Sequence, residues 1–236
     1  HTLDELEEWN QSAELENNSQ FDELDQSSTT LNTNITQDEI AKAITNLKND
    51  KSPGRDNILN EVLKAGKEQL LSPLEKLFNI ILKSGVFPNE WSHGLIVPIH
   101  KKGDTNLAEN YRGITLLSSL SKLFTQILNT RLIYFLEINN VLKPEQAGFR
   151  ANHSTIDNIL ILKSMIDKYV RKKKQKLFTC FVDFRKAFDS IPRANLLEKI
   201  NKVGVRGDFL YLLPCMQMKL AIKIGNTVTH SFRCYI

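Results

Sequence analysis

The sequence predicts an α+β fold, because short apolar strands and amphipathic helices are mixed along the chain without the regular alternation of a parallel sheet. With 236 residues, of which 41% are hydrophobic and 25% charged, the chain is long enough for one large domain or two small ones. None of its apolar runs approaches the roughly 20 residues that cross a bilayer. We therefore expect a soluble, intracellular globular protein with no membrane segment.

Charge is distributed unevenly along the chain. Residues 1–34 contain nine acids and no Lys or Arg, so the other residues carry all 31 bases against 18 of the 27 acids. That excess of bases favours a polyanionic partner. Because residues 1–35 are also rich in Asn, Gln, Ser and Thr, we expect them to form an acidic, disordered linker. The chain begins at His1 rather than Met, which suggests a piece of a longer protein.

The cysteines support neither a disulfide framework nor a metal site. Cys180, Cys215 and Cys234 are odd in number, far apart in sequence and without a histidine at zinc-finger spacing. A reducing compartment is the setting in which such isolated thiols are usual.

The first half of the chain predicts three helices and a strand. In "TQDEIAKAITNLK", Thr36 is positioned to cap a helix with Glu39 as its capping-box partner, and Pro53 and Gly54 lie where the helical pattern has ended. Gly85 follows a later helical pattern as a candidate C′ residue. The further elements expected here are helices at Leu59–Lys64 and Leu70–Lys83 and a strand at "LIVPIHKK".

The second half predicts helices around one buried strand. Helical periodicity begins near Ser119, and a basic helix spans Ser154–Lys173. The stretch "KLFTCFVDFRKAFDS", Lys176–Ser190, has the pattern of a buried strand. Helices at Arg193–Lys202 and Asp208–Gln217 and a hairpin turning at Gly225-Asn226 are expected after it.

Asp183 is the unusual residue of that strand, because it lies among Phe181, Val182 and Phe184. An unpaired carboxylate in apolar surroundings costs several kcal/mol or becomes protonated. One interpretation is that Asp183 holds Mg²⁺ against a nucleotide, since Mg²⁺ favours one or two carboxylates together with substrate phosphates. The other is that Asp183 caps a turn or pairs with Arg185 or Lys186. On the charge pattern alone, both remain open.

Several ordered blocks resemble the reverse transcriptases of non-long-terminal-repeat (LINE-like) retrotransposons. "FVDFRKAFD" resembles motif A of that family, and three further blocks precede it in the family's order: "KNDKSPGRDNILNEVLK", "WSHGLIVPIHKKGDTNLAENYRGITLLSSLSKLF" and "EQAGFRANHSTIDNILILK". The resemblance implies a right-hand polymerase, with residues 36–175 as fingers and 176–236 as a partial palm. Gly113 departs from the commonest form of the second block, in which proline precedes the isoleucine.

The resemblance also implies roles for individual residues around motif A. Asp183 would bind catalytic magnesium through its side chain and Phe184 through its backbone carbonyl. The amides of Lys186 and Ala187 would face the incoming triphosphate, and Phe188 would be the steric gate against a 2′-hydroxyl.

The resemblance also implies roles for basic residues that precede motif A in the chain. Lys101 and Arg112 would bind the triphosphate of the deoxynucleotide, with Lys102 as an alternative to Lys101. Lys51, Arg55 and Arg150 would contact the template strand, whose phosphates such bases commonly engage.

One expected block is missing from the sequence. A polymerase of this type uses two Mg²⁺ ions and needs a later Tyr/Phe-x-Asp-Asp block, and this chain contains no Asp-Asp pair. We therefore expect either the N-terminal portion of an RNA-directed DNA polymerase or a truncated, inactive remnant that at most binds nucleic acid. The implied partners are an RNA template, a DNA primer and deoxynucleotides, with an upstream endonuclease and a downstream palm and thumb. The family implies a location in the cytoplasm and nucleus.

Overall fold

The computed structural model describes residues 29–184, 187–188, 190–225 and 227–233. Within these ranges the chain forms two compact units. The first contains the residues up to Phe135 together with those from Pro192 onward, and the second contains Leu136–Ile191. Both helices and strands are present, so the predicted α+β class is confirmed.

The helices follow the predicted order closely. Those of the first half are α1 (Gln37–Thr45), α2 (Asn60–Ala65), α3 (Lys67–Ser84) and α4 (Ser119–Ile138). Those of the second half are α5 (Thr155–Met165), a π-helix continuing it (Ile166–Lys172), α6 (Arg193–Lys202) and α7 (Gly207–Cys215). No helix among the described residues is long and apolar enough to span a membrane.

The five strands of the first unit form one sheet. They are β1 (His93–His100), β2 (Tyr111–Leu116), β3 (Lys219–Ile224), β4 (Thr227–Val228) and β5 (Phe232–Arg233). β1 pairs antiparallel with β2 and parallel with β3, whose antiparallel partners are β4 and β5. The predicted hairpin is therefore present as β3 and β4, with Gly225 at its turn in the left-handed region (φ 59°) and Asn226 outside the described residues.

An aromatic cluster forms the centre of the helical layer. Phe78 of α3 packs against Phe124 of α4 with ring centroids 5.1 Å apart, and Trp91 lies 6.0 Å from each of these rings. All three side chains are buried. Aromatic pairs at these separations contribute beyond the area that they bury.

Two local signals that the sequence carries set the ends of α1 and α3. At the start of α1 the Thr36 hydroxyl accepts from the Glu39 amide, and the Glu39 carboxylate accepts from the Thr36 amide, which completes the predicted capping box. α3 ends at Gly85 in the left-handed conformation (φ 66°), where a Cβ would also lie 2.4 Å from the Tyr211 ring. Only glycine satisfies both conditions at this position.

The segment before α1 is packed into the first unit. Leu31 and Ile35 are completely buried, and Asn79 binds the backbone of Ile35 by accepting from its amide at 2.7 Å and donating to its carbonyl at 2.9 Å. The acidic linker expected over residues 1–35 therefore overlaps the folded part from residue 29 onward, because these apolar side chains have a core to enter. Residues 1–28 lie outside the described residues.

Candidate functional site

The hairpin of β1 and β2 presents two of the predicted phosphate-binding bases. The register pairs Ile99 with Arg112, and the amide of Lys101 extends the ladder by donating to the carbonyl of Asn110 at 2.8 Å. Side chains alternate along a strand, so Lys101, two residues beyond Ile99, returns to the face that carries Arg112. Diagonal neighbours of this kind are about 7–8 Å apart. Both bases are exposed, so an anion has access to them.

Lys102, the alternative phosphate ligand, is placed differently. It follows the ladder and lies in a bend that it forms with Gly103. The other face of the hairpin carries His100 and Tyr111, whose rings are 5.2 Å apart and edge-to-face. Gly113 is paired with Pro98 within the ladder, so the departure from the commoner proline leaves the strand pairing intact.

The loop that contains Lys51 and Arg55 is held against the start of α4. A Cβ at Gly54 would lie 2.5 Å from the backbone carbon of Leu117, so the loop backbone approaches the residues just before α4 as closely as glycine allows. The Ser119 hydroxyl donates to the carbonyl of Ile58 at 2.7 Å and anchors the far side of the loop. Lys51 and Arg55 themselves are exposed.

Lys122 is a half-buried base to which the sequence motifs assign no role. It lies in the first turn of α4, near the Gly54 loop, and burial lowers its pKa although the negative charge of Asp56 opposes that change. Its one distinguishing feature in the sequence is that it is the single charged residue of "SSLSKLF". Three serines of this stretch are buried in the structure. A half-buried ammonium group therefore interacts with the charge of Asp56, in the loop that also contains Lys51 and Arg55.

The segment around Asp183 differs from the prediction. Residues 174–184 form neither helix nor strand, and Asp183 is exposed, as are Phe181 (83% accessible) and Phe184 (74%). The predicted buried strand is therefore wrong for the chain as described, because no described strand pairs with this segment. A β-strand exists only through hydrogen bonds to a neighbour, which the local pattern of apolar residues cannot supply.

Phe188, the predicted steric gate, packs against one aromatic residue. Its ring lies 5.8 Å from that of Phe149 at an interplanar angle of 84°, an edge-to-face arrangement. Phe149 belongs to the "QAGFR" block and adopts a left-handed backbone conformation (φ 62°). Ala187 lies in the turn beside Phe188, whereas Arg185, Lys186 and Asp189 lie outside the described residues.

Arg150 is engaged within its own unit. Its Nε and Nη2 atoms donate to the two carboxylate oxygens of Glu137 at 2.9 and 2.6 Å, and Nη1 donates to the carbonyl of Lys143 at 2.9 Å. The Arg150 side chain is only 12% exposed. The hydrogen bond from Arg150 lowers the pKa of Glu137, and the same bond raises the pKa of Arg150. This geometry differs from that of a guanidinium open to a template phosphate.

The predicted site residues thus fall into two groups. Lys51, Arg55, Lys101 and Arg112 belong to the first unit, whereas Arg150 and the described residues of motif A belong to the second. Within the second unit, contact is seen between Phe149 and Phe188.

The described residues do not fit a complete metal site. Nowhere among them do three His, Cys, Asp or Glu side chains come together, and Asp183 provides one exposed carboxylate. Two Mg²⁺ ions require further carboxylate ligands. We therefore derive no chemical step through a metal ion from this structure.

Comparison with known proteins agrees with the motifs. Residues 99–233 match the family described as reverse transcriptase (RNA-dependent DNA polymerase). The chain is 35% identical over 171 residues to the probable RNA-directed DNA polymerase from transposon BS of Drosophila melanogaster, covering 72% of this chain and 19% of that protein.

Two further Drosophila melanogaster proteins are similar over comparable lengths. The probable RNA-directed DNA polymerase from transposon X-element is 33% identical over 166 residues, which cover 70% of this chain and 18% of that protein. The RNA-directed DNA polymerase from mobile element jockey is 29% identical over 170 residues, covering 72% of this chain and 18% of that protein. The chain thus spans about a fifth of the length of these relatives.

Proposed function

Because this chain belongs to the reverse transcriptase family of RNA-dependent DNA polymerases, we propose that it forms the fingers and the first part of the palm of a LINE-like retrotransposon polymerase. In this proposal residues 36–175 are the fingers and 176–236 the partial palm, preceded by a linker. Its substrates would be an RNA template, a DNA primer and deoxynucleotides. An upstream endonuclease and a downstream palm and thumb would complete the protein, which would act in the cytoplasm and nucleus.

The observation that carries the proposal is the shared face of Lys101 and Arg112 on the exposed hairpin. A triphosphate needs several positive donors, and this pair combines a compact ammonium group with the planar fork of a guanidinium. The ladder contact of Lys101 supports Lys101 over Lys102 as the phosphate ligand, since Lys102 lies in the bend beyond the paired region.

Motif A would supply the remaining nucleotide contacts. We assign Asp183 and the carbonyl of Phe184 to magnesium, the amides of Lys186 and Ala187 to the triphosphate, and Phe188 to sugar selection. Exposure of Asp183 is compatible with metal binding, and the exposed ring of Phe188 is accessible to a sugar. The other carboxylates of a two-magnesium site would come from sequence that this chain does not carry.

Template contacts would be made by the first unit. Lys51 and Arg55 are exposed on a loop whose Gly54 backbone is packed against Leu117, just before α4, so the loop is anchored while the two charges remain accessible. Arg150 is better suited to a positioning role, because its guanidinium holds the "QAGFR" block to Glu137.

The alternative is an inactive remnant that binds nucleic acid. It would use the same exposed bases as the polymerase, and the downstream reading frame separates the two candidates. An intact continuation with an Asp-Asp block supports the polymerase, whereas a stop codon or frameshift near Ile236 supports the remnant.

The proposed activity is tested by a primer-extension assay. The protein assayed contains this chain together with the residues that follow it in the reading frame. With an RNA template, a DNA primer, deoxynucleotides and Mg²⁺, we expect extension that Asp183→Asn reduces by at least about a hundredfold, the order expected when a charge that stabilises the transition state is removed. Asp38→Asn, at an exposed carboxylate of α1, is the matched control. Equal activity of both variants would contradict the assignment of Asp183.

A further inference from the structure

A run of bases in the second unit has no role in the site described above. In "KYVRKKKQK", residues 168–176, six of nine side chains are Lys or Arg. We call this stretch the basic segment. All six of these bases are exposed, and the one acid between Lys163 and Lys176 is Asp167, whose carboxylate lies 2.9 Å from Arg171. The segment therefore presents a concentrated positive charge with little internal compensation.

Two of these charges gather around a single ring. The ammonium groups of Lys168 and Lys173 lie 5.3 and 5.1 Å from the centroid of Tyr169. Each contact is favourable by itself, because the ring face is negative. The two cations nevertheless repel each other, and an anion bound beside them would relieve that repulsion.

The backbone holds the tip of the segment in a defined shape. The amide of Gln175 donates to the carbonyl of Tyr169 at 2.9 Å and closes the end of the π-helix. Between them Lys174 adopts a left-handed conformation (φ 55°), which normally favours glycine at the end of a helix. A lysine at this unfavourable position places one more charge at the tip, and strained residues of this kind cluster at binding sites.

The segment also lies close to motif A along the chain. Lys176 and Asp183 are separated by seven residues, which span at most about 25 Å when fully extended. Nucleic-acid strands rise about 3.4 Å per nucleotide, so this reach corresponds to roughly seven base pairs. The basic segment therefore lies no more than about 25 Å from a primer end at Asp183, a distance that the duplex behind that end would also span.

We propose that the basic segment binds the phosphate backbone of the template–primer duplex behind the site of synthesis. This inference rests on the proposed function, because Asp183 must mark the primer end. Lysine ammonium groups contact phosphates without reading bases, so the binding is independent of sequence and sensitive to salt.

Binding of the 236-residue chain to a fluorescent RNA–DNA hybrid duplex at several salt concentrations tests the proposal. The variant replaces Lys172, Lys173 and Lys176 with Gln and Lys174 with Asn, a residue that tolerates the left-handed conformation. The control replaces Lys42, Lys76, Lys83 and Lys199 with Gln, which removes four exposed charges on other helices. Circular dichroism checks that both variants keep the helical content of the wild type.

The expected result is a difference between two variants of equal net charge. The basic-segment variant should bind the hybrid at least about tenfold more weakly than the control near physiological salt, and its salt slope should be smaller by about two to four. A second measurement needs no mutation. Lysines are acylated with and without the hybrid and the products are quantified by mass spectrometry. The lysines at 172, 173, 174 and 176 should react more slowly when the hybrid is bound.

Two results would overturn the proposal. If both variants weaken hybrid binding equally, only the net charge of the chain matters. If the lysines stay unprotected and the basic-segment variant binds the hybrid like the wild type, the segment does not bind the duplex and is a candidate docking site for an acidic protein partner. Neither result would change the primer-extension test, in which Asp183→Asn is compared with wild type. Loss of the duplex contact is therefore distinguishable from failure of the proposed polymerase activity.

Discussion

Arg150 and Glu137 form a bidentate ion pair, with Nε–Oε1 and Nη2–Oε2 separations of 2.9 and 2.6 Å. The pair joins the end of α4 to the "QAGFR" block, which lies 13 residues further along the chain. It is a planar fork meeting a carboxylate, a geometry that lysine cannot reproduce. The resemblance had suggested a template contact for Arg150, whereas the contacts indicate that Arg150 organises the loop.

Substitution of this arginine should therefore affect the loop more than nucleic-acid affinity. We expect both Arg150→Ala and Arg150→Lys to speed proteolytic cleavage within residues 139–153 several-fold, while the affinity of the folded chain for RNA changes less than about twofold, as for a residue without phosphate contacts. Limited proteolysis and filter binding measure the two effects. A loss of RNA affinity of tenfold or more with an unchanged cleavage rate would favour the template contact.

Arg131 should contribute strongly to the stability of the first unit. Its guanidinium donates to both oxygens of Glu39 and to the carbonyls of Leu31, Thr33 and Asn34, and its side chain is 9% exposed. Arg131→Ala leaves these acceptors without their donor, so we expect the free energy of unfolding to fall by about 2–4 kcal/mol in urea denaturation. Arg193→Ala, at an exposed arginine of α6, is the control and should change stability by less than about 0.5 kcal/mol.

Glu39 should make stability dependent on acid pH. Burial by itself would raise its pKa, but hydrogen bonds from Arg131 and Thr36 outweigh that effect and hold the pKa of Glu39 below its usual 4.5. A carboxylate with a lowered folded-state pKa stabilises the fold above its unfolded value and loses that contribution as the pH falls through the folded value. Urea denaturation between pH 6 and pH 3 should show this loss below about pH 4.5.

The matched variant for that pH series is Glu39→Gln, which keeps the size of the side chain but does not titrate. Its free energy of unfolding should be lower than that of the wild type at pH 6 and should decline less steeply toward pH 3. Parallel curves for the two proteins would assign the acid sensitivity to other carboxylates.

The hairpin bases should differ in their effect on nucleotide binding. Lys101→Ala should weaken binding of a deoxynucleoside triphosphate about tenfold, because a charge-assisted contact to phosphate contributes about 1.5–3 kcal/mol. Lys102→Ala should change it less than about twofold, since Lys102 is an exposed base outside the ladder. Arg112→Lys should also weaken binding because the planar fork is lost. Isothermal titration of the three variants decides whether Lys101 or Lys102 is the ligand.

The 236-residue chain should not extend a primer by itself. It carries Asp183 but no Asp-Asp block, and one exposed carboxylate is an insufficient set of ligands for two Mg²⁺ ions. Incubation with a primed RNA template, Mg²⁺ and deoxynucleotides should yield no product above the background. Template-dependent extension that Asp183→Ala abolishes would contradict this expectation and indicate a second carboxylate within the chain.

Local signals predicted most helices and their ends. Thr36 and Glu39 are three residues apart, so their capping box can be read from the sequence, and the same holds for Ser154 and Asp157 at the start of α5. The bounds expected for Arg193–Lys202 agree with α6. Helix periodicity and capping act over one or two turns, so the sequence contains the information needed for both.

Contacts between residues that are distant in the sequence could not be predicted from such local patterns. Ile35 is buried in a segment whose composition is typical of a linker, because Asn79, 44 residues away, satisfies its backbone groups. Asp183 lies in an apolar pattern typical of a strand, yet no described strand pairs with it. In both cases the partner, and not the local pattern, decides whether a segment is ordered or buried.

The sequence by itself determined most helices, the strand β1, the hairpin that turns at Gly225, the family motifs and the candidate residues of the site, because periodicity, capping and motif order are properties of neighbouring residues. Tertiary structure alone decided that β1 pairs in parallel with β3, that Arg150 faces Glu137, and that Lys101 shares a face with Arg112. These relationships depend on strand register and on which donors and acceptors meet in space.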